Sequence, residues 1–406
     1  MNKALEQLRK ELSSNLESTI TKFKQNGVVI WGTGSSGLAF KRFLEDFDAL
    51  DALKCFCDSY TKDNSDKVLS EVKVCSPHEA YKQYPKAIYV VASSYRSQIL
   101  KFIKDDPILN SIQTFYYNSD PDSCEYQAFI YATIYLREVV HQDSYVCNFL
   151  KFFDYFSADS STDKINFETK EVLDLFDDEL SKTVLKNRID FFTTGHFSCL
   201  KNIPIEQSPY EYFDFFDSKL STDEVFVDCG AFTGDSISSF IDAVKGKYKS
   251  VLAFEPDTKN YKILLNNVDK LKLKNIECVK AATGLTHSYV NFSDDGGAGA
   301  SLADSKVSSD NVQHELTLQI KLDEYIDRQP TLIKMDIEGA ELDCLKGAEN
   351  LIKTLKPKLA ICLYHKPMDL FTIPLYLKSI VPQYRFKLRQ HHHPIFDTVL
   401  YAFLLL

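Results

Sequence analysis

A short apolar run that breaks into a glycine turn and then into a helical pattern occurs twice in this chain. Val28-Val-Ile-Trp-Gly-Thr-Gly-Ser-Ser-Gly37 lies near the start and Val225-Phe-Val-Asp-Cys-Gly-Ala-Phe-Thr-Gly234 past the middle. A buried strand that feeds into a turn and a helix opens an α/β unit, because a parallel neighbour is reached only through a crossover, usually helical. The chain has 406 residues, beyond the usual range of about 50–250 for a single domain, so two such openings predict two α/β domains.

The pattern between these landmarks supports that division. Residues 1 to 25 carry Leu, Glu and Lys at helical spacing and predict an amphipathic helix. Strands are expected at 27–32, 53–58 and 88–93, with helices after the first and near 98–104, giving a small parallel α/β domain over 1–120. Residues 121–220 are dense in Tyr, Phe and Asp, show helical stretches such as 171–185 and no strand alternation, and read as a mostly helical connector. From 221 to 406 strands are expected at 225–228, 251–255, 276–279, 332–336 and 358–365, with helices in most gaps. The last two apolar runs, 384–389 and 398–403, are only eight residues apart, too few for a parallel crossover, so they predict an antiparallel hairpin closing an otherwise parallel sheet.

Composition narrows the function. The net charge of -10 argues against a broad surface for DNA or RNA. No stretch approaches the roughly 20 apolar residues of a membrane span, and the first ten residues are charged with no signal-like apolar core. The ten cysteines form no CxxC pair and read as reduced thiols, which favours the cytoplasm.

Ligands of open α/β sheets sit outside the carboxyl ends of the strands. Asp228, Glu255, Asp336 and His365 each fall at such an end, on four predicted strands, and so point to one site. The Gly230 to Gly234 spacing, GxxxG, allows a tight turn and close approach of a ligand to the backbone, whereas GxGxxG suits a pyrophosphate. Glu255 is placed to accept hydrogen bonds from two ribose hydroxyls. A nucleoside without phosphates that carries a cationic sulfonium suits such an acidic pocket; a generic strand-to-helix turn is the alternative.

From Val225 to the C-terminus the chain resembles the FkbM family of S-adenosylmethionine-dependent methyltransferases. The residues that carry this are Val227-Asp-Cys-Gly-Ala-Phe-Thr-Gly-Asp-Ser236, Phe254-Glu-Pro-Asp257, Ile320-Lys-Leu-Asp323 and, most specifically, Ile333-Lys-Met-Asp-Ile-Glu-Gly-Ala-Glu341 followed by Leu345-Lys-Gly-Ala348. The resemblance implies a class I, Rossmann-like methyltransferase fold. It implies contacts to S-adenosyl-L-methionine from Asp228, Gly230, Phe232, Gly234, Asp235, Ser236 and Glu255, and O-methylation of a sugar or natural product. The stretch 294–301 is richer in glycine and acid than the family pattern.

A hydroxyl is a weak nucleophile and needs a base, or a metal that lowers its pKa. His365 is the candidate base, with Asp336 and Glu338 orienting it. The same three residues together suit a divalent cation such as Mg, Mn or Fe. The structural alternative has Asp336 and Glu338 capping a helix and pairing with Lys334. His392, in the loop His391-His-His-Pro394, and Asp369 are further candidates for touching substrate.

The first turn, Gly32-Thr-Gly-Ser-Ser-Gly37, is a GxGxxG with Asp58 following Gly37 by 21 residues. The dinucleotide fingerprint places an acid about 20 residues on, so an NAD-dependent oxidoreductase is an alternative reading, although the domain is short and shows no second mononucleotide half. Together with Cys55-Phe-Cys-Asp-Ser59 and Val90-Val-Ala-Ser93, the turn resembles the N-terminal domain of bacterial sugar acyltransferases. That resemblance implies that Gly32, Gly34, Ser35, Gly37 and Asp58 hold a nucleotide-activated sugar. A domain kept for packing or for pairing into a homodimer, and a non-catalytic nucleotide-binding scaffold, are the other readings. Taken together, the halves lead to an expected O-methyltransferase acting on a nucleoside diphosphate sugar for a bacterial surface polysaccharide.

Overall fold

The computed structural model describes residues 2–93, 95–118, 120–135, 145–156, 162–216, 220–293, 314–325, 327–391 and 397–405. The chain forms two compact units, Met1–Gln142 with Thr194–Lys201, and Asp143–Thr193 with Asn202–Leu406. The aromatic-rich stretch 121–220 is shared between them. Among the described residues no helix is long and apolar enough to cross a membrane.

The first unit opens with the helix Lys3–Asn26, which turns Leu8, Leu12, Leu16 and Phe23 inward. Asn2 caps its start by accepting from the Ala4 amide, and Gly27, at φ 81, ends it, a backbone conformation that favours glycine. Six strands follow: β1 Val28–Trp31, β2 Leu53–Cys57, β3 Val68–Leu69, β4 Val72–Cys75, β5 Ile88–Val91 and β6 Gln113–Tyr116. Their order is β3-β4-β2-β1-β5-β6. Five are parallel and β3 pairs antiparallel with β4. β1 and β5 are buried throughout, which is why their unbroken apolar runs stand out. The sequence reading missed β3, β4 and β6 because they are short and partly exposed.

The second unit holds a seven-stranded sheet built from β7 Val225–Cys229, β8 Ser250–Phe254, β9 Ile276–Val279, β13 Leu332–Met335, β14 Lys358–Cys362, β15 Arg385–Gln390 and β16 Thr398–Phe403. A smaller sheet of β10 Ala282–Thr283, β11 Ser288–Ser293 and β12 His314–Ile320 had no counterpart in the sequence reading. The large sheet has the order β15-β16-β14-β13-β7-β8-β9. β9, β8, β7, β13 and β14 are parallel, and β16 runs antiparallel between β14 and β15. This is the expected, otherwise parallel sheet closed by an antiparallel hairpin. Its core is aromatic and aliphatic, with Phe226, Phe240, Val251, Leu264, Leu332 and Tyr401 buried.

The single helical stretch expected at 171–185 is two helices, Thr162–Leu173 and Glu179–Thr194. The break follows from Asp178, whose side chain accepts from the Ser181 amide at 2.9 Å and so starts a new helix.

In an open sheet of this kind the strand order reverses beside the central strand, leaving a crevice at the carboxyl ends. The reversal falls between β1 and β5 in the first unit and between β7 and β13 in the second.

Candidate active site

At the second crevice the turn after β7 is shaped by left-handed backbone. Gly230 has φ +79, and a Cβ there would lie 2.0 Å from the Asp336 carbonyl oxygen, so only glycine lets β7 and β13 end side by side. Gly234 has φ +91. Between them Phe232 adopts φ 47, rare for an aromatic residue, and its side chain is exposed. Its amide donates to Glu255 Oε2 at 2.8 Å, while the Asp257 amide donates to Oε1 at 2.9 Å. Glu255 is only 5% exposed. Burial pushes its carboxyl up to about 7 against the pull of these two amides.

Asp228 occupies a different position from Glu255. It is fully buried, accepts from the Ser236 hydroxyl and pairs with Lys334 Nζ at 3.2 Å. Lys334 also donates to the Gly230 carbonyl at 2.7 Å and lies 5.3 Å from the Tyr212 ring. Burial works against the Lys334 charge, but Asp228 and Asp336 outweigh it and hold the ammonium protonated. Asp228 and Ser236 therefore brace the turn from beneath. Asp235, in the first turn of the helix Asp235–Ala243, is exposed.

The structure brings His365, Asp336 and Glu338 together. His365 Nε2 lies 3.5 Å from Asp336 Oδ1 and 3.4 Å from Glu338 Oε2, and Nδ1 lies 2.8 Å from Glu341 Oε1. The Ile337 amide donates to the same Glu341 oxygen at 3.0 Å. Burial opposes a charge on His365, yet Glu341 first and then Glu338 and Asp336 raise its pKa to about 10. Asp336 accepts from Tyr364 at 2.9 Å and Tyr212 at 3.1 Å. Burial would raise its pKa, but Lys334, His365 and these hydroxyls hold it below the ordinary carboxylate value. Glu338 has φ 55 and Gly339 has φ +96, a tight reversal placed between β13 and the helix Glu341–Gly347.

Asp369 is buried at the start of the helix Asp369–Ile380, where burial and then Glu341 raise its carboxyl to about 8. This places it beneath the cluster, away from solvent. His392 and the stretch 294–301 lie outside the described residues. His391 is buried, with its ring nitrogens on the Glu206 carbonyl and the Tyr401 hydroxyl, both at 2.7 Å.

Among the described residues, the ligand atoms of Asp336, Glu341 and His365 lie within 4.8 Å of one another, a set in which Glu341 takes the place expected for Glu338. Yet Glu341 faces Nδ1 and Asp336 faces Nε2. One ion takes one nitrogen of an imidazole, the other being free to bond elsewhere; Asp336 and Glu338 both face Nε2, so these three residues are the ones that would hold a cation, with Glu341 orienting the ring through Nδ1.

In the first unit a cavity of about 500 Å³ opens over the glycine turn, lined by Gly32, Thr33, Gly34, Ser35, Asp58 and Tyr60 among others. Gly32, at φ +140, and Gly37 are required by close packing, since a Cβ on either would lie 2.1 Å from a backbone oxygen. Gly37 is not part of the lining. Gly34 differs, for its φ is -87 and a Cβ there would meet nothing within 4 Å. Asp58 accepts from the Tyr60 amide at 2.9 Å and from Lys67 at 3.0 Å; burial opposes its charge, but these partners hold its pKa below the ordinary value.

Sequence reasoning missed Tyr212, Tyr364 and Glu341. Glu341 was visible inside the Lys334 to Glu341 block, Tyr364 only as the neighbour of His365, and Tyr212 carried no signal.

The second unit thus has the sheet order and crevice of a class I methyltransferase. More specifically, residues 228–391 match the family model described as the Methyltransferase FkbM domain, so the C-terminal region carries a domain of that kind. Methyltransferase FkbM from Methylobacillus flagellatus KT is similar in fold along nearly the whole chain, with 22% identity, coverage of 98% of this chain and 99% of that one, and a TM-score of 0.56. An rRNA methylase from Streptococcus thermophilus matches 46% of this chain and 90% of its own at 16% identity and a TM-score of 0.31. A SAM dependent methyltransferase from Aquifex aeolicus matches 50% and 96% at 19% identity and a TM-score of 0.29. No curated protein matches.

Proposed function

We propose that the chain is an O-methyltransferase that uses S-adenosylmethionine to methylate a sugar hydroxyl. The observation that carries this reading is the Glu255 carboxylate, held at the end of β8 by two backbone amides beside the Gly230 to Gly234 turn, in the unit that bears the FkbM domain. A nucleoside fits these residues. Gly230 and Gly234 keep the backbone clear of side chains, the exposed Phe232 ring flanks the turn, and each Glu255 oxygen retains a lone pair for a ribose hydroxyl. When bound there, S-adenosylmethionine supplies an electrophilic methyl on a sulfonium. Asp336 and Glu338, at the end of β13, give the same edge of the sheet a negative field.

The acceptor in this reading is a nucleoside diphosphate sugar, made for a bacterial surface polysaccharide. Gly34 supports it: nothing in the fold requires glycine there, whereas a ligand approaching the backbone amides of the turn does. Asp58, at the end of β2, is placed for a ribose. The cysteines among the described residues are free thiols, which fits a reducing compartment such as the cytoplasm.

Isothermal titration of the full chain tests both parts. S-adenosylmethionine is expected to bind the wild type and to lose affinity in Glu255→Gln. UDP-, GDP- or dTDP-sugars are expected to bind the wild type and to fail with Gly34→Asp. Lack of S-adenosylmethionine binding overturns the cofactor assignment; nucleotide sugars that bind neither protein overturn the acceptor.

A further inference from the structure

Building on the nucleotide-sugar reading above, we infer that the cavity of the first unit holds its ligand chiefly by the nucleobase. The base lies in an aromatic slot with Tyr60 on one side, Tyr95 and Phe102 on the other, and Trp31 beneath.

Strand order builds the slot. β1 lies between β2 and β5, and all three run parallel, so the segments that follow them open at one edge of the sheet. Trp31 ends β1. Tyr60 follows the end of β2 on one side of it. Tyr95 and Phe102 follow β5 on the other side, at the start of and within the helix Arg96–Asp105. All four line the cavity of about 500 Å³. Trp31 joins the two sides. Its Nε1 donates to Ser59 Oγ at 3.1 Å, beside Tyr60, and its ring meets Phe102 edge-on with centroids 6.1 Å apart. Trp31 is 1% exposed, whereas Tyr60, Tyr95 and Phe102 are 95%, 58% and 42% exposed. Three rings left open to solvent around one cavity suit a flat ligand, because stacking a planar base would bury their faces.

Electrostatics point the same way. The described residues lining the cavity include no lysine, arginine or histidine, and Asp58 is the charged group among them. Lys67 lies beside Asp58, but its ammonium already bonds that carboxylate at 3.0 Å. A diphosphate would therefore meet amides and hydroxyls of the turn Gly32–Ser36 with no side-chain cation to offset its charge. The turn positions the diphosphate, and the base and ribose supply most of the affinity. Stacking reads the ring face, which every nucleobase has, so the slot selects a nucleotide over a bare sugar phosphate more than one base over another.

Trp31 is the single tryptophan of the chain, so its emission, excited beyond the tyrosine band, reports on this cavity alone. The full chain is titrated with UDP-glucose, UDP, NAD and glucose 1-phosphate. UDP-glucose and UDP are expected to change the emission, and glucose 1-phosphate to bind far more weakly. Tyr60→Ala removes an exposed side chain, and it should weaken UDP-glucose by about 5- to 150-fold. Tyr60→Phe keeps the ring and should restore the affinity, and both variants should bind S-adenosylmethionine as the wild type does. A Tyr60→Ala protein with wild-type affinity for UDP-glucose overturns the slot and leaves the acceptor reading standing. Glucose 1-phosphate binding as tightly as UDP-glucose also overturns the slot. UDP or NAD binding in a Tyr60-dependent way while UDP-glucose does not bind supports the slot and overturns the acceptor reading. No binding of any of the four overturns both.

Discussion

Binding of S-adenosylmethionine should release a proton near neutral pH, and Glu255 should be its source. Burial raises the Glu255 carboxyl from 4.5 to about 7 in the free protein. Two ribose hydroxyls donating to the carboxylate would favour its ionised form and draw the pKa back toward the ordinary value. Below about pH 7 the free protein must then lose a proton to bind, and each pH unit weakens binding by about 1.4 kcal/mol, or tenfold. Affinity at about pH 6 is thus expected to be about tenfold weaker than at about pH 8. The same shift marks stability. Because the folded pKa lies above the unfolded one, the contribution of Glu255 is fully present below 4.5 and is lost as pH rises through about 7. The loss amounts to about 3 kcal/mol. Titration calorimetry in two buffers of different protonation enthalpy measures the proton directly, and Glu255→Gln should abolish it. Equal affinity at both pH values, or a pH dependence that persists in Glu255→Gln, refutes the reasoning.

Gly230→Ala places a methyl carbon 2.0 Å from the Asp336 carbonyl on left-handed backbone, and should cost about 3 kcal/mol or more in urea denaturation. Gly34→Ala meets nothing, so stability should change by under about 1 kcal/mol while nucleotide-sugar affinity falls; unaltered affinity would remove the turn from the ligand site. Lys334→Met leaves Asp228 and Asp336 without their shared cation and should cost about 3–5 kcal/mol in the same denaturation assay. Turnover should survive EDTA, as proton transfer to a side chain needs no ion; loss of activity restored by a divalent cation would instead put one on the Nε2 side of His365 with Asp336 and Glu338.

Much of the fold was legible because its strands are short apolar runs buried on both faces, as in β1, β5, β7 and β13. Residues at strand ends were legible as a group, but not their individual duties. Asp228 and Glu255 look alike in sequence. The first lies beneath the turn with Lys334, and the second faces the amides of Phe232 and Asp257, a distinction made only by packing. His365 looked like a base because it follows a strand. Its burial behind Asp336 and Glu338 depends on the reversal at Glu338-Gly339, whose backbone angles no pattern of residue types discloses. Tyr212 reaches Asp336 across 124 residues of sequence and bears no motif of its own.

The central claim is tested most directly by incubating the full chain with methyl-labelled S-adenosylmethionine and nucleoside diphosphate sugars and weighing the products by mass spectrometry. The account predicts a sugar nucleotide heavier by one labelled methyl, formed together with S-adenosylhomocysteine and lost in Glu255→Gln. Failure of every such sugar to gain the label, from a protein that binds both ligands, would contradict it.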